Sequence, residues 1–276
     1  MGALITIACV QCDFPKDEIT HNPRLRFEVL DVGQGLAQMV VCNDTAIVID
    51  CGPPEASGVI AEVYRDLGSP YVSAVIISHG HADHYGGLAG IDSGFSWSGR
   101  LLADPYTDSA ILAGCLASWR DPVELKRIAA NDSVTLAAGI GLRCLWPPRG
   151  LGDSIRASDE LKNRYSLVFR IKHGRTLAVI TSDIDSVAEN TLTQGEYGSA
   201  DDVIFVVPHH GSRTALSPVF YGYLRPDKAI VSCARENAYG HPSTDVLFWF
   251  AQMGVSCYVT YTNGNVAFVS NGYYWE

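Results

Sequence analysis

A chain of 276 residues, 47% of them apolar, is long enough for one large domain. Its net charge is −10, and its 20 basic residues are dispersed with no run of three, which argues against a broad, non-specific grip on duplex nucleic acid. No apolar run approaches the ~20 residues of a membrane span, so none is expected.

In chain order, Met1 to Cys12 is apolar, short and without a basic flank, which reads as a first strand rather than a signal peptide. Its fit to the loose myristoylation pattern, Met1-Gly2 to Thr6, is treated as coincidence. Strands are predicted over 25–32, 37–42 and 45–50, the last two joined by an Asn43-Asp44 turn. Val59, Ile60, Val63 and Leu67 share one helical face, and the β-branched run Tyr71 to Ile77 predicts a buried strand. Gly90 to Gly99 predicts a mobile loop near the site, and 147–157 an irregular stretch. Residues 108–130 look helical, with a break near Asp121-Pro122. A second hairpin joins 165–171 to 175–180 across His173-Gly174, and strands follow at 203–207, 228–232 and 256–261. Helices are expected near 216–224 and 243–253. Two β-rich halves, each with flanking helices, suit two mixed sheets packed face to face with helices outside.

The cysteines add no framework. Cys42, Cys51, Cys115, Cys144, Cys233 and Cys257 sit singly in mostly apolar segments, as reduced core thiols do. Cys9-x-x-Cys12 is an isolated pair, and His21 alone does not complete a zinc knuckle with it. A cytoplasmic location is the expectation.

Chemistry concentrates in Ser78-His79-Gly80-His81-Ala82-Asp83-His84, directly after the buried strand; three of the chain's eight histidines are here. His79 and His81 are two apart, so on extended backbone they face one side and can hold one metal ion. Asp83 and His84 come as the chain turns and can point at a second position. Imidazole and carboxylate suit Zn²⁺ and similar ions, and a pair of ions suits displacement at phosphorus.

The His79-x-His81-x-Asp83-His84 run after a buried strand resembles the signature of the metallo-β-lactamase-fold hydrolases. Asp31 to Gly35, Ile49 to Gly52, Thr181-Ser182-Asp183, His209 to Ser212 and Tyr239 to Pro242 follow in the order of the soluble hydrolase domain of ComEC-type DNA-uptake competence proteins. The resemblance covers about 25–270 and implies the metallo-β-lactamase fold, an αββα sandwich forming a single hydrolase domain over 1–276. It makes Asp183 the carboxylate that bridges two ions. Asp185, two residues on, reads instead as a helix N-cap. Ser182 stands where the family commonly has glycine, and Leu36 where it often has an acid.

Of His209 and His210, one should complete the first ion's coordination, and the other should hydrogen-bond or act on the leaving group. The sequence leaves that choice open; His210 is the preferred ligand. His241, flanked by Gly240 and Pro242, is the expected last ligand of the second ion. Asp50 is expected behind the ligands, orienting a histidine through its free ring nitrogen. Asn163 and Ser166 stand where many relatives carry a metal-binding histidine and are expected, with Asn237 and Tyr239, to face substrate. Arg213 is the nearest cation, suited to phosphate or to a surface ion pair. The tight Gly33-Gln34-Gly35 turn can bring backbone close to the site, and His173 has no assigned role.

The expected activity is metal-dependent hydrolysis, foremost as a phosphodiesterase or nuclease acting on nucleotides or short nucleic acid. Two Zn²⁺ or Mn²⁺ ions would supply a bridging hydroxide, with Asp83 or a site histidine handling protons. The alternatives are a non-catalytic metal-binding module that works with a separately encoded partner protein, and a hydrolase of another ester or lactone.

Overall fold

The computed structural model describes residues 23–276 apart from 92, 93, 118, 120, 121, 153–157, 194 and 196. The expected first strand, Cys9, Cys12 and His21 lie outside the described residues. The first half of the chain gives β1 (Leu25–Val29), β2 (Ala37–Cys42), β3 (Thr45–Cys51), helix α1 (Ser57–Asp66), β4 (Tyr71–Ile77) and the short helix α2 (Ala82–Tyr85). Then come β5 (Arg100–Ala103), α3 (Ser109–Leu116), β6 (Glu124–Arg127), β7 (Ser133–Ala137) and β8 (Ile140–Trp146). The second half follows with α4 (Asp159–Arg164), β9 (Val168–His173), β10 (Thr176–Ile180), α5 (Ser186–Leu192), β11 (Asp202–Val206) and α6 (Pro218–Leu224). The chain continues through β12 (Lys228–Val231), α7 (Thr244–Met253), β13 (Ser256–Val259), α8 (Thr260–Asn263) and β14 (Val266–Ser270).

The strands form two seven-stranded mixed sheets, β14-β1-β2-β3-β4-β5-β6 and β13-β12-β11-β10-β9-β8-β7. Both expected hairpins are present: β2 runs antiparallel to β3, and β9 to β10. Each sheet then turns parallel, at β3-β4-β5-β6 and at β10-β11-β12-β13.

Strand alternation builds three apolar layers. Ile47, Ile49, Ala74 and Ile76 face Ala178, Ile180, Ile204 and Val206 between the sheets. Val48, Val75 and Ile77 face outward onto Ile60, Val63 and Tyr64 of α1 and Leu112 of α3. Leu177, Val179 and Phe205 do the same on the other sheet, under Ala188 of α5, Phe220 and Tyr221 of α6, and Phe250 of α7. Burial on both faces explains why these strands read as unbroken apolar runs rather than alternating ones. The observed architecture is the expected αββα sandwich.

One expectation fails. Among its described residues the 108–130 segment is helical only in α3; 124–127 instead hydrogen-bonds along β5 as the edge strand β6. Its residues are mostly exposed, so no apolar periodicity announces them. Residues 95–98, within the expected 90–99 loop, make defined contacts: Phe95 stacks on Tyr64 at 3.8 Å, and Trp97 meets Trp119 edge-on at 5.1 Å. The Val72 amide donates to the Ser96 carbonyl (2.8 Å), and the Ser98 amide to Val72 (2.9 Å). Strands β5, β7, β8 and β14 were not anticipated. Among the described residues no helix is long and apolar enough to cross a membrane.

Candidate metal centre

The strands β3, β4, β10, β11 and β12 end at one edge of the sandwich, where open α/β sheets place ligands. The chain must bend sharply there. Asp50 (φ 57°), Ser182 (φ 42°), His209 (φ 51°) and His210 (φ 55°) all adopt left-handed backbone, a conformation non-glycine residues hold only when their surroundings enforce it. At Ser182 the hydroxyl is also buried without a partner, while the carbonyl accepts the His209 amide at 2.9 Å. Ser182→Gly should therefore stabilise the fold by about 1 kcal/mol, with metal content unchanged. Urea denaturation of the two proteins checks this, and an unchanged or lower midpoint would contradict it.

Four side chains converge at this edge. The ligand atoms of Asp83, His84, Asp183 and His210 all lie within 4.8 Å of one another. His84 Nε2 is 3.1 Å from Asp183 Oδ1, and His210 Nε2 is 3.3 Å from Asp83 Oδ2 and 3.5 Å from Asp183 Oδ2. Each ring is held from behind through its other nitrogen. His84 Nδ1 is 2.8 Å from Asp50 Oδ2, and His210 Nδ1 donates to the Ser232 carbonyl at 2.9 Å. Asp50 is fixed in turn by the Ser78 amide (2.7 Å) and hydroxyl (2.6 Å). The buried atoms His84 Nε2, Asp183 Oδ1 and His210 Nε2 have no hydrogen-bond partner outside this cluster. Buried nitrogen and oxygen that face only one another at one point fit a divalent ion.

His79 and His81 form a second group beside the first. His79 Nε2 and His81 Nδ1 are 3.0 Å apart, and His79 Nε2 lies 3.9 Å from Asp183 Oδ2. The Ser78 hydroxyl sits 3.1 Å from His79 Nδ1. Asp183 presents Oδ1 toward His84 and Oδ2 toward His210 and, farther off, His79. His209 Nε2 is 4.0 Å from Asp183 Oδ2 and 3.3 Å from the Asn163 amide nitrogen.

Burial disfavours ionisation throughout, and close contacts decide each outcome. Burial would lower His84, but Asp183 and Asp50 at its two nitrogens raise it well above the usual histidine range. His210 is pushed up to about 9 against burial by Asp183 and Asp83. Despite burial, Asp183 is held well below the carboxylate range by His84 and His210, and Asp83 is lowered by its hydrogen bond to His210. His79 is lowered by burial and by the charge on His84, and His209 by burial. Burial and the neighbouring His210 bring His241 down to about 4. In the metal-free chain, protons on His84 and His210 stand where a cation would, so metal binding must release protons.

Several expected roles change. His210 groups with Asp83 and His84 rather than completing the His79–His81 position, because the left-handed turn at His209 and His210 separates the two rings. His241 lines the cavity, but its ring centre is 6.2 Å from that of His210 and it lies outside the four-ligand cluster. Ser166 is fully buried and accepts the Asp183 amide at 3.1 Å, so it secures the bridging residue rather than facing substrate. Asn237 spends its amide inside its own turn, on Ala234, Tyr239 and His241. Arg213 is exposed and paired with Asp245 at 2.9 Å, away from the cavity. Asp185 caps α5, accepting from the Val187 and Ala188 amides, as its position suggested.

Gly35 permits the close approach expected of its turn: a Cβ there would sit 2.5 Å from the Asp83 carbonyl. The Leu36 amide donates to that carbonyl at 3.1 Å, while the Leu36 side chain is buried in the inter-sheet core. His173 is structural, bonding Ser270 across the sheets at 2.9 Å. Ser78 and Ser232 were missed; each directly follows a strand whose next segment carries a ligand.

These groups open into a cavity of about 670 Å³ whose walls include His81, Asp83, Asn163, Asp183, His209 and Tyr239. Two larger hollows, of about 960 and 770 Å³, are lined by none of the centre's residues. Size alone does not mark the site.

The two-sheet sandwich is the metallo-β-lactamase fold, and residues 30–109 match the model of the metallo-beta-lactamase superfamily. The chain is 28% identical over 224 residues to protein YcaI of Escherichia coli, covering 79% of this chain and 26% of that protein. It is 25% identical over 234 residues to recombination protein 2 of Haemophilus influenzae (82% of this chain, 26% of that one). Against competence protein ComA of Neisseria gonorrhoeae the identity is 26% over 224 residues, 79% of this chain and 28% of that one. The chain thus spans about a quarter of these relatives' length. A diphosphatase of the PhnP family shares the fold with a TM-score of 0.54 at 14% identity, over 89% of this chain and 98% of that one. Protein YhfI of Bacillus subtilis does so at 0.53 and 13%, over 89% and 100%.

Proposed function

We propose that this chain hydrolyses phosphodiester bonds in nucleotides or short nucleic-acid strands, using two divalent ions, Zn²⁺ or Mn²⁺, held on either side of Asp183. The carrying observation is the pair of ligand groups that share this one carboxylate inside an open cavity. Paired ions would supply the nucleophile and neutralise charge on attacking and leaving oxygens, which suits displacement at phosphorus. No Ser, Thr, Cys, Lys or Arg is among the described residues lining this cavity. It therefore offers no Ser, Thr, Cys or Lys nucleophile and no Lys or Arg side chain for an anionic substrate, a composition in keeping with metal-based chemistry. Of the candidate proton carriers, His209 is better placed than Asp83. Burial keeps His209 neutral and its side chain is 25% exposed, whereas His210 keeps Asp83 ionised.

Tyr239 supports a base-bearing substrate. It is 71% exposed at the cavity wall and stacks on His241, with ring centres 5.6 Å apart and planes at 24°. A presented aromatic face is worth about 1–3 kcal/mol per stacked base. Tyr239→Ala should raise KM for a short oligonucleotide about tenfold or more, and Tyr239→Phe should not. Equal KM values for wild type and Tyr239→Ala would remove the stacking role.

Without Arg213, few phosphate contacts remain. Duplex affinity should be weak, with a log–log salt slope near that of a single contact, about −0.9; a steep slope measured by fluorescence anisotropy would reveal a basic groove instead. The deciding experiment is metal analysis of purified protein beside hydrolysis of bis(p-nitrophenyl) phosphate and a dinucleotide, before and after chelation. Activity lost on chelation and restored by Zn²⁺ or Mn²⁺ is expected. Metal-loaded protein inert on every phosphodiester would favour the binding-module or other-ester reading.

A further inference from the structure

On the strands β8 and β9, Leu142, Cys144, Phe169 and Ile171 point into the inter-sheet core. By alternation Arg143, Arg170 and Lys172 face outward together, all three half-buried. Arg143 and Arg170 are partners directly opposite each other across the antiparallel pair. Like charges in that register repel, so the sheet alone gives no reason for them. None of the three meets a carboxylate among the described residues. Arg143 donates to the Asn131 carbonyl (2.6 Å), the Asn131 side-chain oxygen (3.1 Å) and the Ser133 hydroxyl (3.3 Å). Lys172 donates to the Gly174 and Ser199 carbonyls. Arg170 Nε is buried with no partner, a costly state for a charged donor. Acids are not scarce in a chain of net charge −10, yet Asp132, next to Ser133, is turned to Arg149 and the Ala129 amide. The three cations border a hollow of about 770 Å³ that shares no residue with the cavity at the metal centre. Gly141, opposite Thr135, puts no side chain into it; Ser133 and Thr135 add hydroxyls, and Leu145 and Leu192 an apolar wall.

We propose that this outer face of β7, β8 and β9 is a second binding site, which takes the phosphate group of a small molecule between Arg143 and Arg170. Guanidinium forks match phosphate oxygens, and an anion between the two arginines turns their repulsion into shared attraction. Lys172 and the hydroxyls of Ser133 and Thr135 supply further donors. The hollow is large enough for a nucleotide, whose uncharged part would lie against Leu145 and Leu192. The site is independent of the hydrolase reading.

Calorimetric titration of the full chain, as purified, with inorganic phosphate and with adenosine monophosphate tests it. Arg170→Met keeps the apolar stem and removes the charge. Its phosphate affinity should fall at least about tenfold, with metal content unchanged; any phosphate held at the metal centre is common to both proteins. Arg170→Lys should bind more tightly than Arg170→Met. Urea midpoints give a second readout. In phosphate-free buffer Arg170→Met should be at least as stable as wild type, because the opposed charges are gone; added phosphate should then stabilise wild type and leave the variant where it was. Monophosphate bound more tightly than phosphate would make the ligand a nucleotide, and equal affinities the free anion; either supports the site. Equal phosphate affinity in wild type and Arg170→Met, or a variant less stable than wild type without phosphate, would overturn it.

Discussion

Asp183→Asn should strip the centre of metal and activity together. Asp183 is buried, and its two oxygens are what the two ligand groups have in common: Oδ1 lies 3.1 Å from His84 Nε2, and Oδ2 3.9 Å from His79 Nε2. An amide offers one neutral oxygen and places an NH₂ donor against one of these groups, so the four-residue group keeps only the Asp83 carboxylate and the His79–His81 group keeps none. It also leaves His84 and His210 without the charge that raises their proton affinity. Metal content should fall from about two ions toward zero, and phosphodiester turnover by about a thousandfold, the equivalent of roughly 4 kcal/mol in the barrier. Asp185→Asn is the control. Asp185 caps α5 and pairs with Arg164 at 2.8 Å; asparagine also caps helices well, so metal content and turnover should stay close to wild type. Elemental analysis and a phosphodiester assay read both variants. Retained metal in Asp183→Asn, or its loss in Asp185→Asn, would mean the wrong aspartate bridges.

What the sequence reveals of this centre depends on how local each relation is. His79, His81, Asp83 and His84 fall within six residues after an apolar run, so strand alternation and one turn suffice to bring them together. Asp50 was legible for a similar reason, standing at the end of a readable strand. The allocation of His210 was not. It follows from consecutive left-handed residues at His209 and His210, a conformation that neither residue type advertises and that no alternation rule covers. The polar residues Ser166, buried, and Asn237, half-buried, misled in another way. A polar residue near a site reads as substrate-facing, yet here buried backbone groups and turns use up its hydrogen bonds.

The fold divides along the same line. Doubly buried strands such as β4, β10 and β11 stand out as apolar runs. The edge strand β6, with residues mostly exposed, carries no apolar signal and was taken into a helix. Within 90–99 the glycines and serines suggest mobility, while Phe95 and Trp97, spaced two apart, contact Tyr64 and Trp119.

Gly87→Ala should be the most damaging single methyl in the chain's ligand-bearing half. Gly87 follows α2, the helix that carries Asp83 and His84, and its amide donates to the Gly52 carbonyl at 3.0 Å. A Cβ there would lie 2.0 Å from the Cys51 carbonyl oxygen, and the obstacle is backbone that cannot rotate away. Cys51 and Gly52 directly follow Asp50, which orients His84, so the clash falls on the joint between the ligand helix and its support. Overpacking of this kind costs about 3 kcal/mol or more, and separation of α2 from β3 should also loosen the four-ligand cluster. Gly58→Ala on α1 supplies the contrast. Nothing lies within 4 Å of its would-be Cβ, and its φ is not positive; alanine in a helix should there gain about 0.5–1 kcal/mol. Urea denaturation midpoints and metal retention after dialysis separate the two, with Gly87→Ala losing both and Gly58→Ala losing neither. A Gly87→Ala protein as stable as wild type would show that the Cys51–Gly87 contact yields, and that the ligand helix is not pinned to β3 by close backbone packing.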